Sequence, residues 1–338
     1  MFDEASENEE RAPTLIHSSP HSSNESPVAQ SEAAWALITG STSGIGLGYA
    51  TVLLEQGFNV VLHGRNLSKL ERIRLDLLTR FSTRQIETLV IDAEQAFSNV
   101  PSDNKGGLFD HLIRSRFKDY NLTILINNLG GPGTLTQDFP LCTTHAARPT
   151  SHNLAAINIS IMFPLEITRS CLPVLQHNSP SLILNVGSAS GRPAMPLLGV
   201  HGAVKAFQEA FSQSLDAEMR YLGLQTKPQG LRFGIGAAKG VTVRYDLVGM
   251  CATPGAGGGG EKITWIRPDG ETYARSSLAL GSAAGRGVCW GYWPHGLLFG
   301  AVLGWALPRW IVDRVTANIV AGMVSQDETE RTQKTALD

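Results

Sequence analysis

The segment Thr39-Gly40-Ser41-Thr42-Ser43-Gly44-Ile45-Gly46 decides the fold. It follows the short apolar run Ala34–Thr39 and opens an apolar pattern of helical spacing, so it reads as a strand-to-helix turn. Glycines there let the backbone approach a pyrophosphate, while the amides and positive dipole end of the helix face that anion. Gly40, Ser41, Ser43, Gly44, Ile45 and Gly46 are therefore the first candidate cofactor contacts. A merely tight connection would use the same glycines, and only further motifs at set intervals separate the two.

Outward from this turn, apolar runs recur at Asn59–His63, Glu87–Ile91, Leu122–Asn127 and Leu182–Val186. They are short, rich in Val, Ile and Leu, and separated by longer amphipathic stretches, the pattern of βαβ units. The expected architecture is α/β, a doubly wound parallel sheet of the Rossmann type with right-handed connections. Ser68-Lys69-Leu70-Glu71 has capping-box spacing and predicts the start of the helix after the second strand.

The chain has 338 residues, 42% hydrophobic and 17% charged, enough to bury one large domain over residues 31–324. A formal net charge of -2 gives no electrostatic reason to expect a nucleic-acid partner. The four cysteines lack metal-ligand spacing or a disulfide framework, so no metal is expected and a reducing compartment fits. Residues 1–30 read as a disordered polar tail, neither signal peptide nor membrane span, and 325–338 as a second polar tail. Gly291 to Val312 is the one stretch of membrane-like composition, but Pro294, His295, Pro308 and Arg309 interrupt it. It reads as a buried or interface-lying segment, with peripheral contact to a membrane surface through 291–312 as the alternative.

Together with Thr39 to Gly46, Asp92 after the third strand, Asn127-Asn128-Leu129-Gly130 after the fourth, and Asn185-Val186-Gly187-Ser188 followed by His201-x-x-x-Lys205 resemble the short-chain dehydrogenase/reductase family. The resemblance covers about Ala33 to Thr253. It implies cofactor contacts from Asp92, Asn128, Gly130 and Lys205, and catalytic roles for Ser188, Lys205 and Asn158, the last supporting a proton-relay water. Where the family carries tyrosine, thirteen residues beyond the serine, this chain has His201. After the second strand there is Arg65 and no acid, which suits a 2′-phosphate and hence NADP(H). Asn-x-x-Ser-x-Ser-Gly, the loop Pro193–Leu198, Tyr273-Ala274-Arg275 and Tyr292–His295 are similar to the 3-ketoacyl-CoA reductase and 17β-hydroxysteroid dehydrogenase branch. Aligning Gly223-Leu224-Gln225 and Val243 to Thr253 with that family leaves 226–242 as an insertion, makes Thr253 a nicotinamide or pyrophosphate contact, and assigns 254–312 to the substrate loop and apolar C-terminal segment.

In the family mechanism the serine polarises the substrate carbonyl, the lysine holds the nicotinamide ribose, and the tyrosine donates the proton. His201 and Lys205 keep the i, i+4 relation and so face one site. Histidine is an acid near neutral pH but shorter than a phenol, so slower catalysis is expected unless the backbone shifts or water bridges the gap. The expected function is NADP(H)-dependent reduction of a ketone on a lipid-like, 3-oxoacyl or secondary-metabolite substrate. The alternative is an NADP(H)-binding pseudoenzyme acting as a partner or regulator. A Ser188–His201 hydrolase lacks the G-x-S-x-G elbow. His63 reads as structural. The resemblance further implies a homo-oligomer through the helices near Asn158 and His201, in the cytoplasm or on the cytoplasmic face of the endoplasmic reticulum.

Overall fold

The computed structural model describes residues 33–97, 109–130, 142–225, 240–253, 262–280 and 286–335. Strands β1 (Trp35–Ile38), β2 (Asn59–Gly64), β3 (Ile86–Val90), β4 (Leu122–Asn127), β5 (Ser181–Val186), β6 (Val241–Asp246) and β7 (Gly287–Cys289) form one sheet. Its order is β3-β2-β1-β4-β5-β6-β7 and every neighbouring pair is parallel. The order reverses between β1 and β4, the place where a doubly wound sheet opens a crevice at its carboxyl edge.

Helices cover both faces, and the period of two in the strands sorts their side chains between two cores. On one face Ala36, Ile38, Val60 and Leu62 pack with Tyr49 and Leu53 of α1 (Gly44–Glu55), Leu70 and Leu77 of α2 (Leu67–Arg80), and Tyr273 of α7 (Gly270–Ala279). On the other, Trp35, Leu37, Val61 and Leu125 meet α3 (Asp110–Phe117), α5 (Phe163–His177) and α6 (Gly199–Gln225) through Phe117, Phe163, Ile167 and Leu215. The described residues also include helices α4 (Thr150–Ile157) and α8 (Arg309–Thr335). α1 and α7 cross closely: a Cβ on Gly48 would overlap the Gly270 carbonyl.

Three sequence expectations change. The cap of α2 is Asn66, whose side chain accepts the Lys69 amide at 2.9 Å, while Glu71 is engaged by Arg74 and Thr88 and closes no capping box with Ser68. The segment read as an insertion, 226–242, overlaps β6, because Val241 and Thr242 pair with Ser181 and Leu182. Their β-branched run continues through Val243, and Val241 and Val243 fill the second core. The rest of that segment, 226–239, lies outside the described residues, as does the N-terminal tail. Finally, α8 continues through the polar stretch from Ser325 to Thr335, where residues of good helix propensity extend a helix already nucleated upstream.

Candidate active site

The glycine-rich turn ends β1 and starts α1. Gly40 and Gly44 have φ of +63° and +55°, a region open to glycine at little cost. Ser43 is the N-cap of α1 in extended conformation and spends no side-chain bond on the cap, so the first amides of α1 face the crevice. Three neighbours hold the turn. Thr39 Oγ1 accepts the amides of Asn128 and Leu129 at 2.9 and 3.0 Å. Asn128 Nδ2 donates to the carbonyls of Thr39 and Gly40. His63 Nδ1 accepts the Gly40 amide at 3.2 Å, and its Nε2 lies 3.2 Å from the Ile91 carbonyl. Since that carbonyl can only accept, the proton of the neutral ring sits on Nε2. Burial pushes the His63 pKa down to about 4, so the ring stays neutral near pH 7.

Of the remaining expected cofactor residues, Thr253 and Lys205 pack against motif glycines, and Arg65 and Asp92 follow β2 and β3. Gly44 packs on Thr253, whose Cβ is 3.0 Å from where a Cβ on Gly44 would stand. Gly130 lies beside the Lys205 ammonium, with Nζ 3.2 Å from the corresponding position. Arg65, just past β2, is exposed and only 3.7 Å from the Glu94 carboxylate. Such a surface pair is weak. Asp92 Oδ1 accepts the Glu94 amide at 3.0 Å.

Catalytic candidates come together at the ends of β5 and α6. Ser188 Oγ is 2.8 Å from Ser190 Oγ, which is 3.0 Å from His201 Nε2. The Ser190 amide also donates to Ser188 Oγ at 3.1 Å. Lys205 is buried and desolvation lowers its pKa to about 8; Nζ donates to Gln208 Oε1 at 3.0 Å. Gln208 Nε2 in turn donates to the Ser160 carbonyl at 2.6 Å. Pro164 has no N–H, which deprives that carbonyl of its ordinary i+4 donor, and Asn158–Met162 form a π-helical turn. Asn158, at the start of the turn, donates its amide to the Glu94 carbonyl at 3.0 Å. The lysine is thus joined to the helix through Gln208 and Ser160.

Four contributors escaped sequence reasoning. Tyr245 accepts the Ser188 amide at 3.2 Å and donates to the Lys205 carbonyl at 3.0 Å, fixing the two motifs relative to each other. Gly187 is required beside it, since a Cβ would overlap the Tyr245 ring. His295 accepts the Gly249 amide at 3.1 Å through Nδ1 and reaches the Met250 and Ile266 carbonyls at 3.0 and 3.2 Å through Nε2. Gln208 and Ser190 complete the set. Gln208 is one helical turn from Lys205, a sequence signal that could have found it; Ser190 and His295 stood inside motifs that were read without giving them a role, and Tyr245 carried no signal.

Ser188, Ser190 and His201 open onto a cavity of about 1180 Å³. Its wall is largely apolar, with Met195, Leu198, Phe299 and Leu303 joined by a stripe of α8 at Val312, Thr316, Ile319 and Met323. Arg192, Arg267 and Arg309 interrupt that wall. The segment expected to be buried or interface-lying is its outer side: a π-helical turn over Gly296–Ala306, with Trp293, Leu297 and Val302 exposed. Among the described residues no helix is long and apolar enough to cross a membrane.

A parallel sheet with a glycine-lined helix start at its switch point defines the class as a Rossmann dinucleotide-fold protein. Residues 34–227 match the short chain dehydrogenase family, and the chain belongs to it. Among curated relatives, the human very-long-chain 3-oxoacyl-CoA reductase is 29% identical over 296 residues, covering 88% of this chain and 82% of the relative. The Danio rerio very-long-chain 3-oxoacyl-CoA reductase-B is 29% identical over 301 residues, covering 87% and 81%. Of solved structures, a Sphingobium yanoikuyae short-chain dehydrogenase in complex with NADPH superposes with a TM-score of 0.58 at 21% identity, covering 80% of this chain and 94% of its own. One from Shigella flexneri complexed with NADP gives 0.59 at 18% identity, covering 76% and 95%.

Proposed function

We propose that the protein is an NADP(H)-dependent reductase of ketones on lipid-like substrates, with 3-oxoacyl thioesters as the leading class. The observation that carries this is the large apolar cavity ending on Ser188 and His201, beside the loop that packs on the glycine-rich turn. Arg267 and Arg309 in a largely apolar wall, which also carries Asp313, suit a substrate with an apolar body and anionic groups. The relatives named above carry the same chemistry in their names.

The cofactor fits this chain's residues. Gly40 and Gly44 take the left-handed conformations that shape the turn, the open N-terminus of α1 suits a pyrophosphate, and exposed Arg65 suits a 2′-phosphate. Lys205, one helical turn beyond His201, holds the ribose hydroxyls, and Thr253 orients the pyrophosphate or carboxamide. When bound, NADPH supplies a hydride to the carbonyl carbon. Ser188 polarises the carbonyl, Gln208 and Ser160 hold the lysine, and Asn158 supports a proton-relay water.

The outer side of the cavity supports peripheral contact with a lipid surface. Trp293 is 68% and Leu297 50% exposed, and Trp265, whose carbonyl accepts the Tyr292 hydroxyl, is 63% exposed. Exposed aromatic and aliphatic residues of this kind suit the headgroup boundary, on the cytoplasmic side of the endoplasmic reticulum or elsewhere in the cytoplasm. Exposed Leu154, Ile157 and Met162, beside an α6 that leaves Phe207 exposed, fit a homo-oligomer.

The test is NADPH oxidation over a panel of 3-oxoacyl thioesters and cyclic ketones, with His201→Tyr alongside. Turnover by the native protein supports the reductase. NADPH binding with turnover only after His201→Tyr supports the alternative, an NADP(H)-binding protein without catalysis, which the histidine at the donor position favours. Flotation with anionic and neutral vesicles, with and without Trp293→Ser, tests the lipid contact.

A further inference from the structure

Two facts about His201 meet at Ser190. An imidazole is shorter than a phenol, and the ring nitrogen meets the Ser190 hydroxyl, 3.0 Å away. The Ser190 hydroxyl then stands 2.8 Å from that of Ser188. All three side chains border the cavity. On the reductase reading given above, we propose that Ser190 is a further catalytic residue, carrying the proton from His201 to Ser188 across the gap left by the missing tyrosine.

The hydrogen-bond directions are consistent with this path. With a proton on Nε2, His201 donates to Ser190 Oγ, and Ser190 donates its own hydroxyl proton to Ser188 Oγ. Ser188 Oγ also accepts the Ser190 amide at 3.1 Å, so both its lone pairs are used. Its hydroxyl proton has no acceptor left within the chain of serines and is directed to a carbonyl oxygen in the cavity. The Tyr245 hydroxyl accepts the Ser188 amide and keeps that residue in place.

The step balances. As the carbonyl carbon accepts the hydride from NADPH, its oxygen takes the Ser188 proton. Ser188 takes the Ser190 proton, and Ser190 takes the Nε2 proton of the His201 imidazolium. Both serines end as neutral hydroxyls, the substrate as an alcohol, the cofactor as NADP⁺ and His201 as neutral imidazole, which water reprotonates. The Ser190 hydroxyl thus does what a bridging water would otherwise have to do, at a fixed position and without ordering a solvent molecule.

The experiment is a double-mutant cycle between Ser190→Ala and His201→Tyr, read by single-turnover NADPH oxidation, with NADPH affinity followed by fluorescence. A general acid contributes about 100-fold or more. Ser190→Ala is therefore expected to slow the native protein by about 100-fold, and by less than about threefold in the His201→Tyr background, where the phenol reaches the carbonyl directly. Ser190→Thr, which keeps the hydroxyl, recovers most of the rate. In the cofactor-free protein, Ser190→Ala moves the His201 Nε2 resonance in long-range ¹H–¹⁵N spectra because its hydrogen-bond partner is gone. Equal losses in both backgrounds, or an unmoved Nε2 resonance, overturn the relay. Turnover by His201→Tyr alone overturns the relay and leaves the binding reading standing. Silence of every variant, with NADPH affinity intact, instead overturns the reductase reading on which the relay rests.

Discussion

Protonating His63 removes the acceptor on which the Gly40 amide rests, so acid should destabilise the fold through this one ring. Burial pushes its pKa from the usual 6.5 to about 4. The unfolded chain binds a proton below pH 6.5 that the native state refuses until about pH 4, so the stability from His63 is full above 6.5 and is lost as the pH falls. One site with these two values removes about 1.4 kcal/mol by pH 5.5 and about 2.6 kcal/mol by pH 4.5, relative to its alkaline plateau. Burial lowers the His295 pKa as well, and that ring contributes in the same direction. The His63 share is isolated by urea unfolding of the native protein and His63→Gln across pH 7.5 to 4.5, followed by tryptophan fluorescence. Glutamine does not titrate, and the native protein is expected to lose about 2 to 3 kcal/mol more than the variant over that range. Parallel stability curves for the two would refute both the neutral ring and its assigned hydrogen bonds.

Other expectations follow from individual contacts. Arg244 and Asp246 form a buried ion pair at 2.8 Å, with Ser277 bonded to both; Asp246→Asn leaves the guanidinium uncompensated and is expected to cost about 3–5 kcal/mol in chemical unfolding. Gly48→Ala drives a Cβ into the Gly270 backbone and is expected to destabilise by about 1–3 kcal/mol in chemical unfolding, whereas Gly322→Ala in α8 has open space around it and is expected to stabilise by up to about 1 kcal/mol. Arg65→Ala is expected to weaken NADPH binding at least about tenfold while leaving NADH nearly unchanged, read by fluorescence titration; equal effects on both would remove the arginine from the 2′-phosphate site.

Much of the site was legible in the chain because its parts are local motifs. Gly40, Gly44 and Gly46 sit within one turn, Ser188 follows a strand, and His201 and Lys205 are one helical turn apart, so their mutual placement follows from backbone geometry alone. The first strands were equally readable, since β1 and β2 are buried along their length and mostly apolar. The start of α2 was misjudged by two residues because Ser68 and Asn66 are both competent caps, and Glu71 found stronger partners in Arg74 and Thr88. The beginning of β6 was missed because an aligned gap says nothing about where a β-branched pair finds its core.

The sequence by itself determined the layered fold, the glycine-rich turn, the absence of an acid after β2 and the histidine at the donor position. These depend on spacing and side-chain chemistry within a few residues. Only the tertiary structure decided that Ser190 fills the gap between Ser188 and His201, that Tyr245 links Ser188 to Lys205, and that Gln208 answers a carbonyl deprived of its donor by Pro164. It also decided that α8 and the segment before it wall the cavity. The physical reason is that a hydrogen bond or a packed wall is fixed by the approach of elements far apart in the chain, and no local pattern records which of many polar groups will meet.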